Sequence, residues 1–88
     1  MLSARELSFM ADRFLDVAEL RLMQAEKDFG TDVTVFLPLS QREFSKTIMA
    51  LTLIQEKSKK RGLCAKVADP NDSRKEYGHE RVMKIQRT

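Results

Sequence analysis

The stretch TDVTVFLPLSQRE, residues 31–43, decides the fold because its hydrophobic period changes within a few positions. Up to residue 38 apolar and β-branched side chains occur on alternate positions, which is typical of a short strand. Ser40 and Glu43 then have the spacing of a capping box, in which a hydroxyl and a carboxylate bind otherwise unpaired backbone N–H groups. A strand that leads directly into a helix predicts an α+β protein.

Upstream of this stretch the pattern predicts one long helix from Ala4 to Phe29. Ser3 and Glu6 form another capping box, and Gly30 is the natural residue at the helix end. One apolar stripe runs along it, formed by Leu7, Ala11, Phe14, Ala18, Leu22, Ala25 and Phe29. The opposite side is predicted as a solvated acidic face, formed by Asp12, Asp16, Glu19 and Glu26.

Downstream, the second capping box predicts a single helix that runs to Arg61, with Gly62 as its stop. Residues 48–54 are apolar on nearly all sides, so we expect them to be buried on more than one side or to form a subunit contact. Cys64 lies in an apolar strand pattern, where a small buried core residue is expected.

The remaining chain predicts a C-terminal hairpin. Strands are expected over residues 63–68 and 81–86, with a turn at 69–72 and a polar loop between them. A C-terminal helix over residues 74–86 is the alternative. The predicted order is therefore α–β–α–β–β in a single α+β domain of residues 1–88, with a small, largely antiparallel sheet.

Charge is divided unevenly along the chain. Residues 1–32 hold 4 Lys or Arg against 7 Asp or Glu, a net of −3, whereas residues 33–88 hold 12 against 6, a net of +6. Such a division suggests either that the acidic helix packs on the basic remainder or that the basic part binds a polyanion.

Several function classes are excluded by composition. One cysteine excludes an internal disulfide and a multi-cysteine zinc site, and one histidine, His79, removes most His-based metal sites. The three glycines are not clustered, and no two acids share an apolar setting, so we expect no enzyme activity and no cofactor. Neither a membrane span of about 20 apolar residues nor a secretion signal is present, which predicts a cytoplasmic protein without a membrane partner.

Basic residues at the end of the second helix and around the hairpin are the candidate nucleic-acid contacts. Lysines and arginines neutralise phosphates, and Tyr77 could stack on a base. The predicted set is Lys57, Lys59, Lys60, Arg61, Arg74, Lys75, Tyr77 and Arg81. Helix-dipole stabilisation explains the helix-end cations equally well.

The segments Lys60-Arg-Gly-Leu63 and Asp69-Pro-Asn-Asp-Ser-Arg74 resemble the wing region of MarR-type winged-helix regulators over about 15 residues. The resemblance implies a winged helix as the alternative fold, with Lys59 and Lys60 at the end of a recognition helix. It also implies that Arg74 enters a minor groove. Ser73 departs from the family pattern, which usually has a second arginine there.

These patterns predict a small non-enzymatic regulatory protein that binds nucleic acid through its basic C-terminal half, as a homodimer. That function requires the cations to form one continuous positive surface. The alternative is a protein–protein interaction module, an inhibitor or adaptor acting through apolar helix surfaces. A structural or assembly subunit is the third possibility.

Overall fold

The computed structural model describes residues 2–68 and 81–88 as helices packed against a three-stranded sheet. Along the chain the elements are α1 (Ala4–Phe29), β1 (Thr34–Leu39), α2 (Gln41–Met49), α3 (Leu51–Lys60), β2 (Leu63–Val67) and β3 (Arg81–Arg87). The predicted α+β class, the long first helix and the small antiparallel sheet are confirmed.

Helix α1 has its predicted bounds because both of its ends carry local signals. Ser3 Oγ accepts a hydrogen bond from the Glu6 N–H at 3.2 Å, and the Glu6 carboxylate accepts one from the Ser3 N–H at 3.2 Å. At the other end Gly30 has φ +90°, and its N–H donates to the carbonyl of Glu26 at 2.8 Å. Glycine enters this region freely because it lacks a Cβ.

The buried stripe of α1 differs in part from the predicted one. It is formed by Ala11, Leu15, Ala18 and Leu22, all with 0% exposure. Leu15 was missed, and Phe29, at the predicted end of the stripe, is 80% exposed.

The 26 residues of α1 span about 39 Å. The seven residues of β3 span only about 23 Å, so the helix is longer than the sheet beneath it.

The sheet has the order β1-β3-β2, with both pairs antiparallel. Leu37 lies opposite Met83, and Ala65 lies opposite Ile85. Because side chains alternate between faces, these residues share the face that packs on the helices, where Met83 and Ile85 are fully buried.

Cys64 alternates with the buried neighbours on either side of it. It therefore lies on the opposite face and is half-buried, so the predicted core position is wrong.

The predicted single second helix is wrong, because the chain divides it at Ala50 into α2 and α3. Ala50 has φ −99° and ψ 6°, and its N–H is shared between the carbonyls of Lys46 and Thr47, both at 3.2 Å. Alanine is the best helix former, so propensity does not mark this break. At the break Ala50 is buried, whereas the preceding Ile48 and Met49 are exposed. Burial of residues 48–54 within the chain is thus wrong at these two positions, and the alternative of a subunit contact stays a prediction.

Strands β2 and β3 form the predicted hairpin pair. The alternative C-terminal helix is wrong for residues 81–86, which lie in β3, and the predicted turn at residues 69–72 lies outside the described residues. Gly62, with φ +72°, completes a two-residue connection from α3 to β2, and its carbonyl accepts a hydrogen bond from the Thr88 N–H at 2.9 Å.

Candidate nucleic-acid interface

An acidic row on α1 faces the basic end of α3. Lys57 Nζ lies 3.1 Å from Asp12 Oδ1. Arg61 Nη1 donates to Asp16 Oδ1 at 2.8 Å and to Glu19 Oε1 at 2.9 Å. These hydrogen bonds, with Asp16 contributing most, raise the pKa of the Arg61 guanidinium above its already high ordinary value. The row predicted as a solvated face is therefore a contact between α1 and α3.

A further ion pair joins β3 to α1. Arg87 Nε and Nη2 donate to the two carboxylate oxygens of Glu26 at 2.7 and 2.8 Å, which is a bidentate arrangement. The hydrogen bond from Arg87 lowers the pKa of Glu26 below its ordinary value, against a smaller opposing effect of desolvation. Within residues 2–68 and 81–88, four of the seven acidic residues of the segment 1–32 thus pair with cations from the basic part of the chain.

The predicted nucleic-acid residues lie in different surroundings. Lys57 and Arg61 are held by the α1 carboxylates. The guanidinium of Arg81 lies 4.4 Å from the centroid of the Phe44 ring, in a cation–π contact. The two remaining cations at the end of α3 are exposed, and no carboxylate in residues 2–68 or 81–88 forms an ion pair with either; they are Lys59 and Lys60. The rest of the predicted set lies outside the described residues, namely Arg74, Lys75 and Tyr77.

Lys59 borders a hollow of about 270 Å³ between α3 and the edge strand β2. Gln55, Cys64 and Lys66 also line it. Because only two residues connect α3 to β2, and because the two elements are in contact, they run alongside each other in opposite directions. Lys59 on the helix and Lys66 on the strand therefore place two ammonium groups around one hollow.

Lys66 also faces another lysine across the sheet. The register pairs Lys66 of β2 with Lys84 of β3, on the face away from the buried core. Like charges directly opposite each other repel, since their Cβ atoms are about 4.5–5.5 Å apart. Within the described part of the chain neither lysine forms an ion pair. Both residues were missed by the sequence analysis. Their alternation with apolar neighbours was a signal for the outer face, but their pairing depends on register.

These lysines lie between the basic end of α3 and Arg81, the predicted hairpin cation that the structure describes. The end of α3 is next to Leu63, whereas the hairpin connection leaves β2 after Val67. At about 3.3 Å per residue the two ends of β2 are about 13 Å apart. A positive surface that reaches from one end to the other would have to pass over Lys66 and Lys84.

A different concave surface lies between α1 and the segment of β1 and α2, and we call it the α1–α2 groove. Its volume is about 620 Å³, and its apolar lining includes Phe14, Leu37 and Ile54. Cations also line it, namely Arg13, Arg21 and Lys46.

Other kinds of site find no support in the part of the chain that is described. Among those residues no three His, Cys, Asp or Glu side chains are grouped so that they could hold a metal ion. None of the described helices has the length and apolar character needed to cross a membrane. No protein-family model matches the chain, and neither a curated protein nor a solved structure is significantly similar to it. Function is therefore inferred from the geometry and charge of this chain.

Proposed function

We propose that the protein binds double-stranded DNA through a lysine cluster formed by Lys59, Lys60, Lys66 and Lys84. The observation that carries this proposal is the direct opposition of Lys66 and Lys84 on the outer face of the sheet without a carboxylate partner in the described residues. A phosphate backbone would supply the missing negative charge, and its condensed counterions would be released on binding.

The two short helices followed by a hairpin support a duplex as the ligand. In helix-turn-helix proteins the second helix lies in the major groove, and its N-terminal residues contact base edges. The exposed residues Thr52, Gln55 and Lys59 have the spacing that places them on one side of α3. Glutamine can bind adenine through its amide, and threonine can contact the thymine methyl group. The MarR-type resemblance has the same order of recognition helix and strand.

Lys57 and Arg61 have no part in this surface, because their charges are already neutralised by α1. Glu56 is exposed beside Thr52 and reduces the positive charge of the α3 face. Removing that carboxylate with Glu56→Gln is therefore expected to tighten DNA binding.

Fluorescence anisotropy with a labelled mixed-sequence duplex, at about 50 and 200 mM salt, tests the proposal. We expect Lys59→Gln and Lys66→Gln each to reduce the slope of log affinity against log salt by about 0.9. Lys27→Gln is the matched control, since Lys27 is exposed on α1 and away from the cluster. Absence of binding at micromolar protein in the lower salt, or equal slopes for Lys66→Gln and Lys27→Gln, would contradict DNA binding.

A second proposal is that this cytoplasmic regulator is a homodimer through the outer face of α1. Leu20 and Met23 are 67% and 55% exposed on that helix. A second copy suits this face, because helix-turn-helix proteins bind two half-sites as dimers. Light scattering should give a dimer mass for the native chain and a monomer mass for Leu20→Asp. A monomer mass for the native chain at micromolar concentration would rule the dimer out.

A further inference from the structure

The α1–α2 groove combines an apolar floor with a cationic rim, and the proposed DNA contacts use neither. We propose that this groove is the docking site for an acidic amphipathic helix of a partner protein. The inference is independent of DNA binding, since none of the four lysines of the cluster lines the groove.

The size of the groove fits a short helix. Along α1 its lining extends from Phe9 to Arg21, which is about 18 Å or three helical turns. A helix that docks in a groove inserts apolar side chains at positions i, i+3, i+4 and i+7, and three turns present such a set. Val17 lines the groove and is 51% exposed, so an apolar surface for these anchors is accessible.

The rim charge specifies the occupant. Arg21 and Lys46 are exposed, and within residues 2–68 and 81–88 neither forms an ion pair. Arg13 lies over the Phe9 ring at 5.8 Å and keeps its charge. The carboxylate of Glu43 also lines the groove but accepts the Ser40 N–H at 3.1 Å in the capping box. The rim therefore has a positive excess that is complementary to acidic residues flanking an apolar row.

A second copy of this chain does not supply such a helix. Its acidic amphipathic helix is α1, whose carboxylates Asp12, Asp16 and Glu19 are occupied by ion pairs with α3. Offering them to a groove on another copy would break the contact between α1 and α3. The partner is therefore a different protein.

The test uses the full chain and a fluorescein-labelled designed peptide of about 14 residues, slightly longer than three turns. The peptide carries leucine at positions i, i+3, i+4 and i+7 and glutamate beside them, and a matched peptide has lysine in place of glutamate. We expect anisotropy to show tighter binding of the acidic peptide. Arg21→Glu combined with Lys46→Glu should weaken that binding about tenfold and strengthen binding of the lysine peptide. Arg5→Glu, an exposed cation on α1 outside the groove, is the control and should change neither affinity.

Three results would overturn the proposal. The first is equal affinity for the two peptides, and the second is unchanged acidic-peptide affinity in the double charge reversal with a native circular dichroism spectrum. The third is loss of a native dimer on Lys46→Glu, since Lys46 lines the groove from α2 and not from α1; that result would identify a second copy as the occupant. Duplex binding measured on the Arg21→Glu, Lys46→Glu variant should remain intact, so failure here is distinguishable from failure of the DNA proposal.

Discussion

Replacing Arg61 by methionine tests whether this residue at the basic end of α3 stabilises the folded chain or contacts DNA. The substitution keeps an unbranched side chain but removes the charge that contacts Asp16 at 2.8 Å and Glu19 at 2.9 Å. It leaves Lys57 alone to face a row of three carboxylates on α1, including Asp12. The prediction is that Arg61→Met loses stability and retains DNA affinity.

The magnitude follows from two effects. Each ion pair contributes up to about 1 kcal/mol, near the upper end for surface pairs because the Arg61 side chain is only 27% exposed. Each uncompensated like-charge pair along α1 then costs about 0.2–0.5 kcal/mol. The expected loss is about 2 kcal/mol, which corresponds to a fall in Tm of about 10 °C for a chain of this size.

Urea denaturation at about 0.1 and 1 M salt measures this loss, because the Debye length falls from about 10 to 3 Å between them. We expect the difference between Arg61→Met and the native chain to shrink in high salt. A double-mutant cycle with Asp16→Asn should give a coupling of about 0.5 kcal/mol or more. A variant as stable as the native chain would refute the structural role of Arg61. A DNA affinity as low as that of Lys66→Gln would refute the statement that Arg61 does not contribute to DNA binding.

Three further predictions concern the core, a turn and pH. Ile54→Ala removes a side chain that is 1% exposed and should cost about 2–5 kcal/mol in urea denaturation; a loss below 1 kcal/mol would mean that the core is not packed there. Gly62→Ala forces a Cβ into φ +72° and should cost about 1–2 kcal/mol by the same assay, whereas an unchanged midpoint would argue against that backbone conformation. Glu26→Gln should lower Tm at neutral pH and lose its effect in acid. The pKa of Glu26 is lowered by Arg87, so its stabilisation is present above the ordinary value of about 4.3 and disappears as pH falls below it. Thermal melts between about pH 7 and 3 check this, and a constant Tm difference would contradict it.

Local signals were sufficient for most of the fold. The two capping boxes mark the starts of α1 and α2, and their hydrogen bonds involve residues only three positions apart. Alternation marked β1 in the same way. The break at Ala50 could not be predicted, because alanine favours the helix and only burial against distant segments selects a turn there.

The candidate site was harder to predict, because it depends on contacts between distant residues. Asp16 and Arg61 are 45 positions apart and form an ion pair. Arg61, which was predicted to contact nucleic acid, therefore links α3 to α1. Lys66 and Lys84 become neighbours only through the register of β2 and β3. Charge counts indicated one acidic and one basic segment. Which of the cations form ion pairs within the fold depends on contacts between residues that are distant along the chain.

The position of β3 has a consequence for how the chain acquires its structure. Among the strands of residues 2–68 and 81–88, β3 comes last along the chain, yet it is the middle strand of the sheet and the one that hydrogen-bonds to both others. Within these residues β3 is the partner of both β1 and β2, so neither ladder forms until β3 has been synthesised. A ribosome-bound chain lacking β3 can form α1 but not the sheet described above, and it leaves two apolar strands open to aggregation until translation passes residue 87.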